Sequence, residues 1–284
     1  MSKIKFRVLL LMLAVFAVGS QAWAEVALTT AFDNSIFRGY VSYHFDSDKN
    51  GFLSDEEISN AVSIDLRTWP SVEAINTLQG IEFLISLREL KTGRTNLAKA
   101  DLSKNTELMS LDINANIYDS LKLDISSTSI ISLDISAENP TITAKNCNAL
   151  RYILLRSGCY GLDVEGCTNL KTITTRYRYT SSYGSTYESH GYLYYTLNVK
   201  GCTSLETVDI GYGYNIARPD FSDCTNLKTL ILGRKENDGT GKGYLSSSVT
   251  FLDLTNCSQL EKLFVSYLYS SAKLNAFMVK SKNS

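Results

Sequence analysis

The twelve residues 46–57 read DSDKNGFLSDEE, and they carry oxygen donors at the spacing by which a loop surrounds a calcium ion. Counted from Asp46, such loops supply ligands from positions 1, 3, 5, 7, 9 and 12, and the sharp turn at position 6 falls on Gly51. The predicted ligands, by side-chain oxygen or at position 7 by backbone carbonyl, are Asp46, Asp48, Asn50, Phe52, Ser54 and Glu57. An acidic surface turn is the alternative, but the complete register favours Ca²⁺.

This register is that of the EF-hand, in which one helix enters the loop and a second helix leaves it. The exit helix must be short, because SIDL at 63–66 already alternates like a strand. Calcium sensors open one hand against a paired hand, whereas this sequence has a single loop, so we expect a structural ion in an N-terminal cap over residues 25–62. An apolar stripe predicts the entering helix, through Phe37, Tyr40, Val41, His44 and Phe45.

Residues 1–24 have the pattern of a secretory signal peptide. A basic start precedes an apolar run from Val8 to Val18, and Ala22-x-Ala24 predicts cleavage after Ala24. The run is too short to span a bilayer, and no comparable run follows it, so we expect a secreted protein, extracellular, at the cell surface or in the periplasm. Cleavage of residues 1–24 removes three positive charges and changes the net charge from −1 to −4. This negative charge disfavours nucleic acid as a partner.

The remaining chain repeats one pattern, an apolar pair around Asp or Asn, then Cys or Asn, then Leu-x-x-apolar-x-apolar, as in LDVEGCTNLKTITT at 162–175. A period near 21 residues with two long exceptions predicts about eight stacked coils over 63–284, with insertions at 176–195 and 233–250. The alternation predicts a short strand in each coil. The key apolar residue recurs at Leu87, Leu108, Ile130, Leu150, Leu170, Leu205, Leu227 and Leu260.

These coils resemble the leucine-rich repeats of secreted bacterial surface proteins of the internalin-like and Bacteroides-type families, whose coils read L-x-x-L-D-V-S-x-N-x-x-L. Residues 32–66, followed by LQGIEFLISLREL at 78–90, are similar to the cap of that family, in which a calcium loop leads into the first coil. The resemblance implies an α/β leucine-rich-repeat solenoid behind a small helical EF-hand-like cap, and a role in adhesion or protein interaction. The asparagine usual after the strand is mostly absent, so backbone hydrogen bonds at that turn must be met differently.

Five of the six cysteines occupy one repeat position, which Asn105 and Thr128 take in earlier coils. A ladder of small inward side chains accounts for this better than disulfides do, because parallel Cβ vectors suit the disulfide torsion poorly. Cys159 is out of register and is predicted to be an exposed thiol. The five cysteines of the ladder are Cys147, Cys167, Cys202, Cys224 and Cys257.

The insertion at 176–195 is rich in tyrosine, and the second insertion is rich in glycine and charge. Both leave directly after a strand, so we expect them to project from one edge of the solenoid and to form a tyrosine-rich patch there. Tyrosine suits recognition of protein or glycan, and a hairpin whose tyrosines pack on the solenoid is an equal alternative. The residues concerned are Tyr177, Tyr179, Tyr183, Tyr187, Tyr192, Tyr194, Tyr195, Tyr212 and Tyr214.

The sequence carries no enzyme signature, since its two histidines lack a recurring partner and no glycine-rich phosphate loop precedes a helix. We therefore interpret the chain as a non-catalytic binding protein for adhesion or protein interaction, with a protein or glycan ligand. The alternatives are a carbohydrate-binding accessory protein of a glycan-utilisation system and an inhibitor or accessory subunit of a secreted enzyme. Because LNAFMVKSKNS at 274–284 fits the descending half of a last coil and no separate cap motif follows it, end-to-end self-association is one way to cover that coil.

Overall fold

The structure is a computed structural model of the 284-residue chain. The predicted leader and residues 233–248 of the second insertion lie outside the part that it describes. The described residues are 25–115, 120–135, 137, 139–181, 184, 186–210, 212–213, 216, 218–232, 249–265 and 273–276.

Three helices and a two-stranded sheet form the N-terminal cap. The strand Val26–Ala27 leads into helix α1 (Leu28–Ala31), then helix α2 (Ser35–His44), the strand Phe52–Leu53 and helix α3 (Asp55–Asn60). At the start of α2, the side-chain oxygen of Asn34 accepts two backbone N–H groups. The buried face of α2 confirms the predicted entering helix. The short exit helix and the strand that follows it are also confirmed.

A ladder of parallel strands, the first ladder, forms one side of the solenoid behind the cap. It consists of a three-stranded sheet nearest the cap and a six-stranded sheet beyond it. Neighbouring strands pair in register, so that each coil adds one strand. The strands are Ser63–Asp65, Glu89–Thr95, Ser110–Ala115, Ser132–Ile135, Tyr152–Leu155, Thr172–Thr174, Thr207–Ile210, Thr229–Leu232 and Lys262–Val265.

The return side of the coils carries a second ladder of short parallel strands, and two 3₁₀ turns, Val72–Ala74 and Ile81–Phe83, lie in the coils nearest the cap. The apolar pair around Asp forms a short strand on the return side, where the predicted α/β repeat would have a helix. The α-helices of the described residues therefore lie in the cap. The strands of the second ladder are Lys99–Asp101, Lys122–Asp124, Thr141–Thr143, Gly158–Asp163, Tyr192–Asn198 and Tyr212–Gly213, followed by the pair Phe251–Leu254 and Lys273–Ala276.

The core runs between the two ladders and continues into the cap. All eight key apolar residues of the repeat are buried, which confirms the predicted solenoid. The Phe32 and Phe37 rings of the cap are fully buried at 5.7 Å in an edge-to-face pair, and the Tyr40 hydroxyl accepts the Asp65 N–H of the first coil at 3.0 Å. Cap and solenoid therefore share one hydrophobic core.

In the repeats that have it, the Asp or Asn of the apolar pair closes the turn that follows. Its side-chain oxygen accepts the backbone N–H two residues later, as Asp163 does from Glu165 at 3.2 Å and Asp220 from Ser222 at 2.9 Å. This local bond ends each strand and turns the chain toward the core. The repeat motif thus encodes the turn as well as the strand.

The five ladder cysteines are buried free thiols, as the sequence predicts, and each points toward the preceding coil. Their Sγ atoms donate hydrogen bonds to backbone carbonyl oxygens of that coil, for example Cys147 to Ile125 at 3.0 Å and Cys167 to Ala144 at 2.8 Å. Asn105 precedes them in the ladder and donates to two such carbonyls at 2.8 Å. The ladder therefore satisfies buried backbone acceptors.

The prediction that Cys159 is an exposed thiol is wrong. Cys159 is 0% exposed, and its thiol donates to the Pro140 carbonyl at 3.2 Å. A register shift between Cys159 and Gly161 interrupts the alternation of the strand, so that Cys159 faces the core together with Leu162.

The insertion at 176–195 forms a β-hairpin, with Arg176–Thr180 antiparallel to Thr186–His190. It returns to the second ladder at Tyr192, so its two ends join the two ladders of the solenoid. Within the described part of the chain, we find no helix with both the length and the apolar character to cross a bilayer.

Candidate metal centre

The predicted calcium loop lies between α2 and α3, and it brings together three of the predicted ligands. Carboxylate oxygens of Asp46, Asp48 and Glu57 all lie within 4.8 Å of one another. Among the described residues, this is the cluster of acidic, histidine or cysteine side chains whose geometry could hold a metal ion. Three negative charges in so small a volume repel one another, and a divalent cation would offset that repulsion.

Asp46 is the inner residue of the loop, 2% exposed. Its two carboxylate oxygens accept the backbone N–H groups of Asn50 at 3.1 Å and Gly51 at 3.2 Å. The loop is therefore closed around its first predicted ligand. Gly51 has φ of +85°, a left-handed conformation that favours glycine, and this accounts for the glycine at position 6.

The next two predicted ligands form consecutive side-chain turns. Asp48 Oδ1 accepts the Asn50 N–H at 3.1 Å, and Asn50 Oδ1 accepts the Phe52 N–H at 2.7 Å. Asn50 Nδ2 also donates to Asp48 Oδ2 at 2.9 Å. Because a carboxylate or amide oxygen has two lone pairs, these turns fix the side chains while leaving acceptor capacity for a cation.

Glu57 closes the loop from helix α3 and is 7% exposed. Its Oε1 accepts the Ser47 N–H and hydroxyl, both at 2.7 Å, and its Oε2 accepts the Ser54 N–H and hydroxyl, both at 2.9 Å. Burial raises the pKa of this carboxyl, but the hydrogen bonds from Ser54 and Ser47 outweigh burial and hold the pKa at about 2. Glu57 is therefore a fixed anion, and Ser54 caps α3 as the other half of a capping box.

The Phe52 carbonyl faces the loop. Residues 26–28 pair antiparallel with 51–53, and the Leu28 N–H donates to the Gly51 carbonyl at 3.0 Å. In an antiparallel ladder, opposite residues alternate between hydrogen-bonded and non-hydrogen-bonded pairs. Ala27 and Phe52 are therefore a non-hydrogen-bonded pair. The Phe52 N–H and C=O therefore both point away from the partner strand, toward the side on which Asn50 lies. This is the direction that a backbone ligand at position 7 requires.

Lys49, a basic residue within the loop, points toward the end of the preceding helix. Lys49 Nζ donates to the backbone carbonyls of Ser42 at 2.7 Å and Tyr43 at 3.2 Å, at the end of α2. A positive charge is favourable at a helix C-terminus, where carbonyl groups lack intrahelical partners. Lys49 therefore serves the helix end and forms no ion pair with the three loop carboxylates.

The tyrosine-rich region divides into a packed part and an exposed part. The Tyr177 ring lies 5.4 Å from the Arg156 guanidinium, which itself pairs with Asp134 through two contacts of 2.7 Å. Tyr177 is half-buried, so it stabilises the hairpin on the solenoid. Of the other predicted positions, Tyr183 and Tyr214 lie outside the described residues, and for Tyr179, Tyr187, Tyr192 and Tyr212 the structure describes the backbone only.

A cluster of three rings, the tyrosine triad, lies on the second ladder where its register shifts. Tyr194 and Tyr195 fall between the paired residues Leu193 and Thr196, opposite Tyr160 of the neighbouring strand. The Tyr160 ring centroid is 5.5 Å from those of Tyr194 and Tyr195, and the latter two are 6.1 Å apart. Tyr195 is 53% exposed. Irregular register of this kind redirects side chains and is common beside functional sites.

Sequence reasoning missed two residues of these regions. Ser47, at position 2 of the calcium loop, holds Glu57 through both its N–H and its hydroxyl, and no loop rule assigns it a role. Tyr160 belongs to the tyrosine triad but lies outside the insertion in sequence. The only available signal for Tyr160 was its place one coil before Tyr194 and Tyr195.

No protein-family model matches the chain, and no curated protein is significantly similar to it. Solved structures similar to it include the functional domain of InlJ from Listeria monocytogenes, which includes a cysteine ladder, with 21% identity and a TM-score of 0.40 over 85% of this chain. The chain spans about half of that domain, 47% of its length.

Two other similar structures are internalins of Listeria monocytogenes strain 4b F2365. Internalin InlF is 15% identical over 91% of this chain and 99% of its own, and internalin C2 is 14% identical over 92% and 100%, both with TM-scores of 0.34. The solenoid assignment rests on the two strand ladders of the chain itself.

Proposed function

We propose that this chain is a secreted, non-catalytic binding protein, a leucine-rich-repeat solenoid whose N-terminal cap is held by a calcium ion. The observation that carries the calcium site is the convergence of Asp46, Asp48 and Glu57 within 4.8 Å, in EF-hand order. The Asn50 side chain, the Phe52 carbonyl and Ser54 complete an all-oxygen donor set, which suits calcium rather than a transition metal. Secretion rests on the leader pattern of residues 1–24.

The ion has a structural role in this proposal. The loop joins α2, whose buried face packs on the first coils, to α3, which leads directly into the strand Ser63–Asp65. An ion bound at Asp46 and Glu57 links these two helices across the loop. Calcium would therefore stabilise the cap that covers the apolar end of the solenoid. Extracellular sites of this kind bind with dissociation constants of about 10⁻⁴ to 10⁻³ M.

Calorimetric titration of the protein with calcium chloride tests the site. We expect about one ion per chain in the affinity range just given, abolished by Glu57→Gln. The matched control is Glu56→Gln, which removes the same charge from the exposed neighbouring position on α3. Equal heats for the wild type and Glu57→Gln, or loss of binding in Glu56→Gln alone, would contradict the assignment.

The tyrosine triad is the surface that we propose for the ligand. Its rings present exposed aromatic area together with hydroxyl groups, which suits a protein or a glycan. A carbohydrate-binding accessory role is the second candidate, because aromatic rings at an exposed edge can stack on sugar rings. A protein partner, including an enzyme that the chain inhibits or assists, is the first.

Glycan-array binding and co-purification from culture supernatant separate these two ligands. Tyr195→Ala removes the most exposed ring of the triad, and Tyr43→Ala, at an exposed position 69% accessible on α2, is the matched control. We expect Tyr195→Ala to lose the ligand and Tyr43→Ala to keep it. Equal binding by both variants would show that the ligand uses another surface.

A further inference from the structure

The strand before the first helix contacts the calcium loop directly. Residues 26–28, which we call the strap, pair antiparallel with 51–53, the central part of the loop. The strand Phe52–Leu53 belongs to a two-stranded sheet, so without the strap its backbone N–H and C=O groups would form an unpaired edge. In this chain the strap occupies that edge.

The strap is anchored independently of the loop. Leu28 is 3% exposed, and Phe32, four residues further on, is fully buried against the solenoid. The ring of Phe32 contacts Gly80, where an added Cβ would lie 2.4 Å from it. Leu53 is the one buried apolar side chain of the loop. The strap therefore connects the loop to the hydrophobic core of the first coils.

Hydrogen bonding determines what the strap does for the loop. The Leu28 N–H donates to the Gly51 carbonyl, while the Gly51 N–H donates to Asp46. The alternation of antiparallel pairs makes Val26 and Leu53 the hydrogen-bonded pair of the strap. Holding Gly51 and Leu53 on both sides of Phe52 fixes the direction of the Phe52 carbonyl, which faces the loop interior. The Phe52 carbonyl and the Leu53 N–H belong to the same peptide group, so without the strap this peptide group would lose the bond that restrains its rotation.

We propose that the strap is a positioning element of the calcium site, which it completes by pairing with the loop and orienting the Phe52 carbonyl toward the ion. The inference rests on the proposed calcium site. Linkage gives it a reciprocal consequence: if the strap raises the affinity for calcium, then calcium must stabilise the pairing of the strap by the same factor.

Two proline variants test the affinity by calorimetry. Val26→Pro removes a backbone N–H from a bonded pair, whereas Ala27→Pro removes an N–H that points away from the loop, at a residue whose φ of −69° suits proline. We expect calcium binding to weaken about fivefold to tenfold in Val26→Pro and to remain unchanged in Ala27→Pro. Equal affinity in the two variants and the wild type would overturn the role of the strap and leave the calcium site standing. A wild type that binds no calcium would overturn both.

Amide hydrogen exchange of the unmodified protein gives a second test that does not depend on the folding of a variant. Calcium should slow exchange of the Leu28 and Leu53 amides by the same factor by which the strap raises the affinity. Unchanged exchange at Leu28 and Leu53 with calcium bound would overturn the inference.

Discussion

The Cys167 thiol lies 2.8 Å from the carbonyl oxygen of Ala144 in the preceding coil and donates a hydrogen bond to it. The same relationship joins Cys202 to Val164 at 3.2 Å and Cys257 to Phe221 at 3.3 Å. Stacked coils leave carbonyl groups facing the interior at this corner, and a buried acceptor without a donor is costly. The cysteine ladder supplies these donors with a side chain small enough for a packed corner.

Replacing Cys167 with valine should destabilise the solenoid more than the same change at Cys224. Both side chains are fully buried at the same repeat position, but the Cys224 thiol is 3.8 Å from the Val199 carbonyl, so it has less bonding to lose. We expect a difference of about 1 kcal/mol in the free energy of unfolding, measured by chemical denaturation. Equal losses would show that the cysteines act through volume alone.

A thiol-specific maleimide should not react with the folded protein. All six cysteines are buried, and burial raises the pKa of the Cys159 thiol to about 12, which suppresses the reactive thiolate. Mass spectrometry should find no label on the native chain and six labels after unfolding in denaturant. Rapid labelling of Cys159 in the native protein would contradict the inward position of that side chain.

Two tyrosines of the triad should differ in what they contribute. Tyr195 is 53% exposed, so Tyr195→Ala should change the free energy of unfolding by less than about 0.5 kcal/mol. Tyr194 is half-buried in contact with Tyr160, so Tyr194→Ala should cost about 1–3 kcal/mol. Denaturant melts of both variants measure this. A large loss in Tyr195→Ala would instead favour a purely structural triad.

Acid should weaken the first coil through Asp65. Hydrogen bonds from the Arg67 side chain, at 2.9 and 2.6 Å, lower the pKa of Asp65 to about 2. Because the folded-state pKa lies below the ordinary value of 3.8, this stabilisation is complete above about pH 4 and is lost as the pH falls through 2.

The measurement for Asp65 is the difference in unfolding free energy between the wild type and Asp65→Asn at several pH values. It should shrink steadily from pH 5 to pH 2. In an Arg67→Met background the dependence should flatten, since the cause of the lowered pKa is gone. A difference that is constant over this range would contradict the assigned pairing.

The candidate site was largely predictable because its residues are contiguous. The ligand register, the entering helix and the short exit helix all follow from spacing and from the alternation that begins at Ser63. The strap was not predictable, since its strand, Val26–Ala27, is too short to show a period. The role of Ser47 also required the fold, because its partner Glu57 is ten residues away.

The repeat predicted the stacking of coils but not the second ladder. The key leucines fixed the period and the first ladder, whereas the apolar pair around Asp reads equally as a turn or as a short strand. The prediction for Cys159 was wrong because it assumed strict alternation, and alternation fails at the register shift beside Tyr160. Such irregularities depend on the neighbouring coil, which a local pattern does not contain.

The measurement that tests the account most directly is the thermal melting of the wild type and Glu57→Gln with and without calcium. With a dissociation constant of about 0.1 mM, ~2 mM calcium should stabilise the wild type by roughly 1.8 kcal/mol. That corresponds to a rise in Tm of about 4–7 °C, which should saturate with calcium and be absent in Glu57→Gln. A Tm that does not respond to calcium, or that rises equally in the variant, would contradict a calcium ion bound in the loop of Asp46, Asp48 and Glu57 as the element that stabilises the cap.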